Sequence, residues 1–327
     1  MAEPLKLLFV ADPLESFKIA KDSTFAMMRA AQARGHQLFS CEPGDLSLLQ
    51  GRVEALATSL TLTGNSPEWV QVQPAQGTSI EAFDAIVMRK DPPFDLEYLY
   101  STMLLERASQ QGVLVLNDPR ALRDHNEKLA ITEFAQFTAP TLVTRSPELL
   151  RAFIQEHGKA VLKLLDGMGG ASIFQADVND PNLSVILETM HQFGERSVMA
   201  QRYLPEIVDG DKRILLIDGE VVPFCLARVP QKGEARGNLA AGGRGEVREL
   251  TARDREIAQS LAPVLIKRGL FLVGLDVIGD CLTEINVTSP TCFQEITQGS
   301  GWNVAEFFVQ RLEAAVRRHS SRGDRSP

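Results

Sequence analysis

Cysteine is sparse in this sequence. Four occur among 327 residues, at Cys41, Cys225, Cys281 and Cys292, with no C-x-x-C spacing and no regular pairing. That pattern excludes a disulfide framework and fits reduced thiols in a cytoplasmic protein. Histidine is as scarce, with five residues, none in an H-E-x-x-H pair and none beside paired cysteines, which removes a zinc site. A serine hydrolase would need a G-x-S-x-G elbow, and none is present. No G-x-G-x-x-G follows the first strand to receive a dinucleotide. A basic excess is lacking too: 42 acidic against 34 basic residues leave a net charge of −8. Such a chain has no general affinity for nucleic acid or a membrane surface. No apolar run is long enough to span a bilayer, and the opening MAEPLKLLFVAD enters a strand without the basic and apolar regions of a signal peptide.

What is there suits a globular protein of two or three lobes, since apolar residues make up 44 % of a chain too long for one ordinary core. KLLFVAD (6–12) predicts a strand, Ser23 followed by TFAMMRAAQAR a helix closed by Gly35, and HQLFSC a second strand. This is a βαβ unit and implies a parallel sheet. AFDAIVMRK (82–90) and VLVLND (113–118) add strands around the helical LEYLYSTMLLERASQQ (96–111). Asp118-Pro119 reads as an N-cap with proline at the first helical position. Residues 1–122 therefore read as a doubly wound α/β lobe.

After residue 122 the pattern becomes α+β. LVTRSPELLRAFIQEHG and AVLKLLDG give strand, helix and strand, and SVMAQRYL (197–204) a further strand. KRILLIDGEVVPFCLARV predicts a hairpin turning at Asp218-Gly219, the dipeptide that right-twisted strands prefer. FLVGLDVIGDCLTEINV repeats the form around Gly279-Asp280. WNVAEFFVQRLEAAVRR is a closing helix, and residues 317–327 read as a disordered tail.

Three stretches carry chemistry. In LKLLDGMGGASIF (162–174), Lys163 interrupts an apolar strand ahead of a glycine loop. A buried lysine needs an anion, and glycines let backbone N–H groups approach a phosphate. The order is the reverse of a Walker A loop, and the stretch equally fits a tight turn with a snorkelling lysine. In LDVIGDCLTEIN (275–286), alternation places Glu284 and Asn286 on one face. Asp276 joins them only if an odd loop or a bulge centres the pairing on residue 280; a strict two-residue turn sends it to the other face. Three oxygen ligands together would suit Mg²⁺, whereas the alternative is the polar edge of a solvent-facing hairpin. The third stretch, LARVPQKGEARGNLAAGGRGE (226–246), has five glycines and arginines at 228, 236 and 244. It cannot hold itself in place by apolar burial. Its flanks belong to one lobe, so it reads as a cationic loop that orders over an anionic ligand.

A lysine before a glycine loop, a late-strand carboxylate with E-x-N, and a cationic loop together resemble the ATP-grasp superfamily. The strings MRKDPPFD (88–95), NEKL (126–129), LDGMGGASIF, DGDKR (209–213), RGNLAAGGRGE (236–246), VGLDVIGD (273–280) and EINVTSPTC (284–292) are similar, in the same order, to those of the bacterial glutathione synthetases. The likeness runs from about residue 5 to about residue 316. It implies that the parallel-sheet lobe (1–122) binds substrate. A two-lobed ATP-grasp domain follows, with a small lobe (123–203) and a C-terminal lobe (204–316) bearing a lid at 226–246. It also implies ATP-dependent ligation of γ-glutamylcysteine to glycine through an acyl phosphate.

By this resemblance Lys128 and Lys163 contact ATP phosphates with Gly167, Gly169 and Gly170. Gln201, Tyr203 and Leu204 line the adenine, Asp211 lies near the ribose, and Arg213 belongs to the same nucleotide site. Asp276, Glu284 and Asn286 hold two Mg²⁺, with Mn²⁺ as a substitute. Arg228, Arg236 and Arg244 belong to the lid as catalytic residues, Arg236 or Arg244 stabilising the oxyanion, while Arg89, Lys90, Asp91, Ser289 and Thr291 meet the peptide and acceptor. A homotetramer is implied as well. Two positions depart from the family pattern: Leu164 stands where proline follows the strand lysine, and Arg202 where an acidic or amide residue is expected. The nearest rival is an ATP-grasp ligase of other specificity.

Overall fold

Lys6–Val10 (β1) buries four of its five residues, as a central strand covered on both faces requires. The computed structural model describes residues 3–64, 68–167, 173–231 and 242–323. In the first lobe β1 is joined by Gln37–Cys41 (β2), Leu46–Leu49 (β3), Arg52–Leu62 (β4), Val70–Val72 (β5), Gln76–Ser79 (β6), Ala85–Met88 (β7) and Leu114–Leu116 (β8). Strands β2, β1, β7 and β8 lie side by side and parallel, and the winding reverses at β1. Helices Ser23–Ala33 (α1), Leu96–Gln110 (α2) and Pro119–Asp124 (α3) complete the lobe. The cap of α1 is Asp22, one residue earlier than the sequence suggests, with its carboxylate accepting from Phe25 N at 2.6 Å. Asp118 caps α3 as expected, accepting from Arg120 N and Ala121 N.

The parallel expectation holds for half of this sheet. Residues 42–79 lack a helical period, so the chain cannot cross over and returns through hairpins instead. Strand β4 pairs antiparallel with β2, β3, β5 and β6, which makes the eight-stranded sheet mixed.

The second sheet is antiparallel and ordered Ile173–Asp177 (β11), Lys159–Leu164 (β10), Val198–Arg202 (β12), Thr141–Thr144 (β9). Helices Pro147–His157 (α4) and Leu183–His191 (α5) pack on it around Leu150, Ile154, Leu162, Leu187 and Ala200. Ser146 caps α4 through Leu149 N, and Gly158, at φ 73°, ends it.

The third sheet runs Arg244–Glu249 (β15), Glu220–Val229 (β14), Asp211–Ile217 (β13), Leu272–Ile278 (β16), Cys281–Asn286 (β17). Its helices are Ala252–Lys267 (α6), Phe293–Ser300 (α7) and Val304–Gly323 (α8). The β13–β14 turn has Asp218 at φ 54° and Gly219 at φ 77°, both left-handed as a type I′ turn demands. Residues Leu129–Phe137, placed by the sequence boundary at 123 in the small lobe, pack on β17, with Ile131, Phe134 and Phe137 in one core with Leu275, Leu282 and Ile285.

Two further expectations change. The helix α8 continues through residues read as a tail, because Arg318 Nη2 reaches Asp218 at 2.8 Å and His319 Nε2 lies 2.8 Å from Gly112 O. Residues 324–327 lie outside the described residues. The loop expected over 226–246 is shorter: Val229 pairs with Arg244, and Arg228 with Gly245, because the apolar LARV run is strand. Its portion at 232–241 lies outside the described residues.

Candidate active site

The β16–β17 hairpin resolves the question its sequence left open. A two-residue turn at Gly279–Asp280 pairs Ile278 with Cys281 and Val277 with Leu282. Thr283 then enters as an extra residue, and the register shifts so that Asp276 faces Glu284 and Gly274 faces Asn286. Turn and bulge together put Asp276, Glu284 and Asn286 on one face. Thr283 is held in the bulge by its hydroxyl, which donates to Asp276 O at 3.1 Å.

Both candidate lysines converge on this hairpin from other elements. Lys128 Nζ donates to Glu284 Oε1 at 2.9 Å and to Gly167 O at 2.6 Å, so it joins the Glu284 carboxylate to the entrance of the glycine loop. Lys163, on β10, donates to Thr283 O at 3.4 Å. Burial lowers its pKa, opposed by the Glu284 carboxylate. An ammonium held this way is short of anionic partners, which is what a phosphate supplies. Gly169 and Gly170 lie outside the described residues.

Beside the hairpin stands a buried quartet. Arg213 grips Asp276 through Nε at 2.5 Å and Nη2 at 3.1 Å. Arg228 Nη2 reaches Asp211 Oδ2 at 2.5 Å and Asp276 Oδ2 at 2.9 Å. Burial would push the Asp276 carboxyl up, but the two guanidiniums, Arg213 foremost, hold it well below the usual carboxylate range. Burial does push Asp211 up, to about 6, against the pull of Arg228. Arg228 is therefore a strand residue, 4 % exposed, at the base of the site rather than in a lid. Asp211, expected at the ribose, pairs with it. Arg244 lies on edge strand β15, exposed and paired with Glu246, one residue from the Gly245 that faces Arg228. Arg236 lies outside the described residues.

Of the residues expected at the adenine, Gln201 is buried near the end of β12 with Nε2 3.4 Å from Thr141 Oγ1, Tyr203 N donates to Lys159 O, and Leu204 is buried. Of the residues expected to meet the peptide and acceptor, Ser289 Oγ donates to Asp91 Oδ1, and Lys90 Nζ donates to Asp12 Oδ1 at 2.6 Å. Thr291 is exposed, its hydroxyl 3.7 Å from Cys292 Sγ. Arg89, only 4 % exposed, donates to Thr24 Oγ1 at 3.0 Å and to Pro290 O at 3.1 Å, and its Nη1 has no partner among the described residues. It braces the 288–291 loop from behind.

Two carboxylates and an amide on one face form a hard oxygen set, which fits Mg²⁺. Asn286 Nδ2 donates to Gly274 O at 3.2 Å, leaving Oδ1 as the atom for a cation. Among the described residues no group of three or more His, Cys, Asp or Glu is placed to hold a metal ion by itself. Water and phosphate oxygens would therefore have to complete the coordination.

Three supporting residues escaped the sequence reading. Glu127 Oε1 accepts from Val287 N, Thr288 N and Thr288 Oγ1 at 2.7, 3.0 and 2.9 Å. Asn117 bonds Leu272 and Val287 from the first lobe. Asp12 holds Lys90 and the Asp91 N–H. Only Glu127 gave a signal, as the carboxylate beside Lys128 in HNEKL.

The family model described as "Prokaryotic glutathione synthetase, N-terminal domain" matches residues 5–123, and "Prokaryotic glutathione synthetase, ATP-grasp domain" matches residues 127–301. Among curated proteins, the glutathione synthetase of Ralstonia nicotianae is 57 % identical over 312 residues, covering 95 % of this chain and 96 % of its own. That of Neisseria meningitidis serogroup A is 56 % identical, covering 94 % and 98 %. Among solved structures, D-cycloserine synthetase DcsG superposes with a TM-score of 0.67 at 16 % identity, covering 95 % of this chain and 99 % of that one, a likeness of fold. Among the described residues no helix is long and apolar enough to cross a membrane.

Proposed function

The chain belongs to the prokaryotic glutathione synthetase family, and on that premise we propose that it joins the cysteinyl carboxylate of γ-glutamylcysteine to the amine of glycine, forming ADP and phosphate from ATP. A carboxylate does not react with an amine at neutral pH, because its carbon is a poor electrophile and its oxygen a poor leaving group. Phosphorylation by ATP gives an acyl phosphate, in which phosphate is the leaving group. Glycine's amine attacks the acyl carbon, the C–O bond to phosphate breaks, and the amine loses its proton.

The observation that carries this reading is the convergence of Lys128 and Lys163 on the face that bears Asp276, Glu284 and Asn286. Lys128 and Lys163 bind phosphoryl oxygens, exchanging Glu284 and a carbonyl for stronger anionic partners. Asp276, Glu284 and Asn286 would hold Mg²⁺, two ions with Mn²⁺ as a substitute, which neutralises charge on the phosphates. Arg213 and Arg228 keep Asp276 ionised. Gln201, Tyr203 and Leu204 receive the adenine. Lys90, Asp91, Ser289 and Thr291 face the peptide and acceptor, and Arg89 fixes the loop that carries Ser289.

Mass detection of glutathione from ATP, Mg²⁺, γ-glutamylcysteine and glycine tests the reading; absence of the tripeptide while other donor and acceptor pairs turn over would replace the substrates. We also place the protein in the cytoplasm as a homotetramer. The four free cysteines support the compartment, and light scattering checks the tetramer.

A further inference from the structure

Three consecutive residues, 126 to 128, each grip a different part of the site. Asn126 Nδ2 donates to Leu165 O at 3.0 Å, at the foot of the glycine loop. Lys128 Nζ spans Gly167 O and Glu284 Oε1. Between them Glu127 turns the other way. One of its carboxylate oxygens takes both backbone N–H groups of Val287 and Thr288 and the Thr288 hydroxyl, and its own carbonyl accepts from Ile285 N at 2.9 Å. Val287 is held from behind as well, its carbonyl accepting from Asn117 Nδ2 at 2.7 Å. The next residue, Ser289, meets Asp91 of the first lobe. The segment that positions the phosphate lysine thus also positions the loop where peptide and acceptor are proposed to sit.

We propose that Glu127 is a positioning residue that couples the two halves of the reaction. It holds the 287–289 loop in register with Lys128, so that the acyl phosphate forms where the amine can reach it. This rests on the function proposed above. Residues 126 and 128 act on the nucleotide side through the same backbone, so the loop cannot drift without Glu127 letting go. A loosened loop leaves the acyl phosphate formed but the amine misplaced, and water then competes. Water attacks the acyl carbon, the bond to phosphate breaks, and carboxylate, phosphate and a proton are returned. ATP is consumed and no peptide is made.

The test is the ratio of ADP to tripeptide, which does not depend on how much of a preparation is folded. The wild-type enzyme is expected to give one ADP per tripeptide. Glu127→Ala is expected to give at least two, with the KM for γ-glutamylcysteine raised tenfold or more and that for ATP changed less than threefold. Glu127→Asp is one methylene too short to reach both N–H groups and is expected to uncouple in the same direction; it carries the test if the alanine variant fails to fold. Glu127→Gln keeps the accepting oxygen and is expected to restore a ratio near one. Coupled turnover in both Glu127→Ala and Glu127→Asp, or in Glu127→Asp alone where alanine does not fold, overturns the proposal. A wild-type enzyme that makes no tripeptide overturns the substrate assignment instead, and the inference falls with it.

Discussion

Asp276 and Glu284 face each other across the β16–β17 hairpin because Thr283 is one residue too many for the turn they flank. The two-residue turn alone would pair Glu284 with position 275 and turn the carboxylates to opposite faces. The bulge corrects this and also presents the Thr283 carbonyl to Lys163. The position of the carboxylates proposed to hold the cation is thus set by backbone register rather than by side-chain flexibility.

Glu284→Gln is expected to lower turnover by at least about a hundredfold, since it removes a charge from the proposed metal face where cation binding supplies the largest share of phosphate stabilisation. The substituted amide keeps the shape of a partly exposed side chain, so the melting temperature should hold within a few degrees. ADP release and circular dichroism melting read the two effects, and near-normal turnover would take Glu284 out of the metal site.

Lys163→Met is expected to move stability and function in opposite directions. Burial already lowers the pKa of this lysine, and its only hydrogen bond among the described residues is a long one to Thr283 O. Methionine fills similar volume without the desolvation cost, so the fold should be as stable or more so. The KM for ATP should rise at least about tenfold, the scale of a lost charge-assisted contact. A stability loss with unchanged ATP affinity would make Lys163 structural.

Much of this site was legible because its residues sit in strings with strong local signals. Asp118-Pro119 capped a helix and Asp218-Gly219 turned a hairpin as read. The sequence also left the Asp276 register open in the terms that the bulge then resolved. What was not legible depends on partners distant along the chain. Arg228 looked like lid cation because it sits next to a glycine-rich run, yet its neighbours are Asp211 and Asp276, brought together only when β13 lies between β14 and β16. The tail read as disordered because Asp218, a hundred residues away, is what anchors Arg318. Within residues 42–79 the β3–β4 hairpin turns at Gln50-Gly51, at φ 50° and 82°, a weaker sign than Asp-Gly, and the strands there went unread.

His125 gives the fold a pH dependence on the acidic side. Burial, with Arg268 adding repulsion, lowers its pKa to about 4, and Nε2 has no partner among the described residues. An unfolded histidine titrates near about 6.5. Its neutral form therefore favours the folded state fully above that value, and the contribution is lost as pH falls towards 4. Between pH 7 and pH 5 the wild type should lose unfolding free energy relative to His125→Phe, whichever way raised carboxyl groups such as Asp211 tilt both proteins. Parallel slopes in urea titrations at the two pH values would rule His125 out as the cause.

The quartet of Asp211, Asp276, Arg213 and Arg228 balances two negative charges with two positive ones in a buried setting, and Arg228→Met breaks that balance. Methionine leaves one carboxylate uncompensated, a change that costs about 3–5 kcal/mol in buried pairs. The penalty should depend on pH in a definite direction. Asp211 already has its folded pKa raised to about 6, against about 3.9 unfolded. The protonated form thus favours the folded state, a contribution complete below about 4 and lost as pH rises through the folded value. Removing Arg228 raises the folded value further, so the variant should lose more stability at pH 8 than at pH 5. Adding Asp211→Asn to Arg228→Met removes the surplus charge and should recover part of the loss at pH 8 but little at pH 5. Urea unfolding of the three proteins at both pH values decides it. An equal loss at both, with no recovery in the double variant, would mean that Arg228 contributes packing rather than charge.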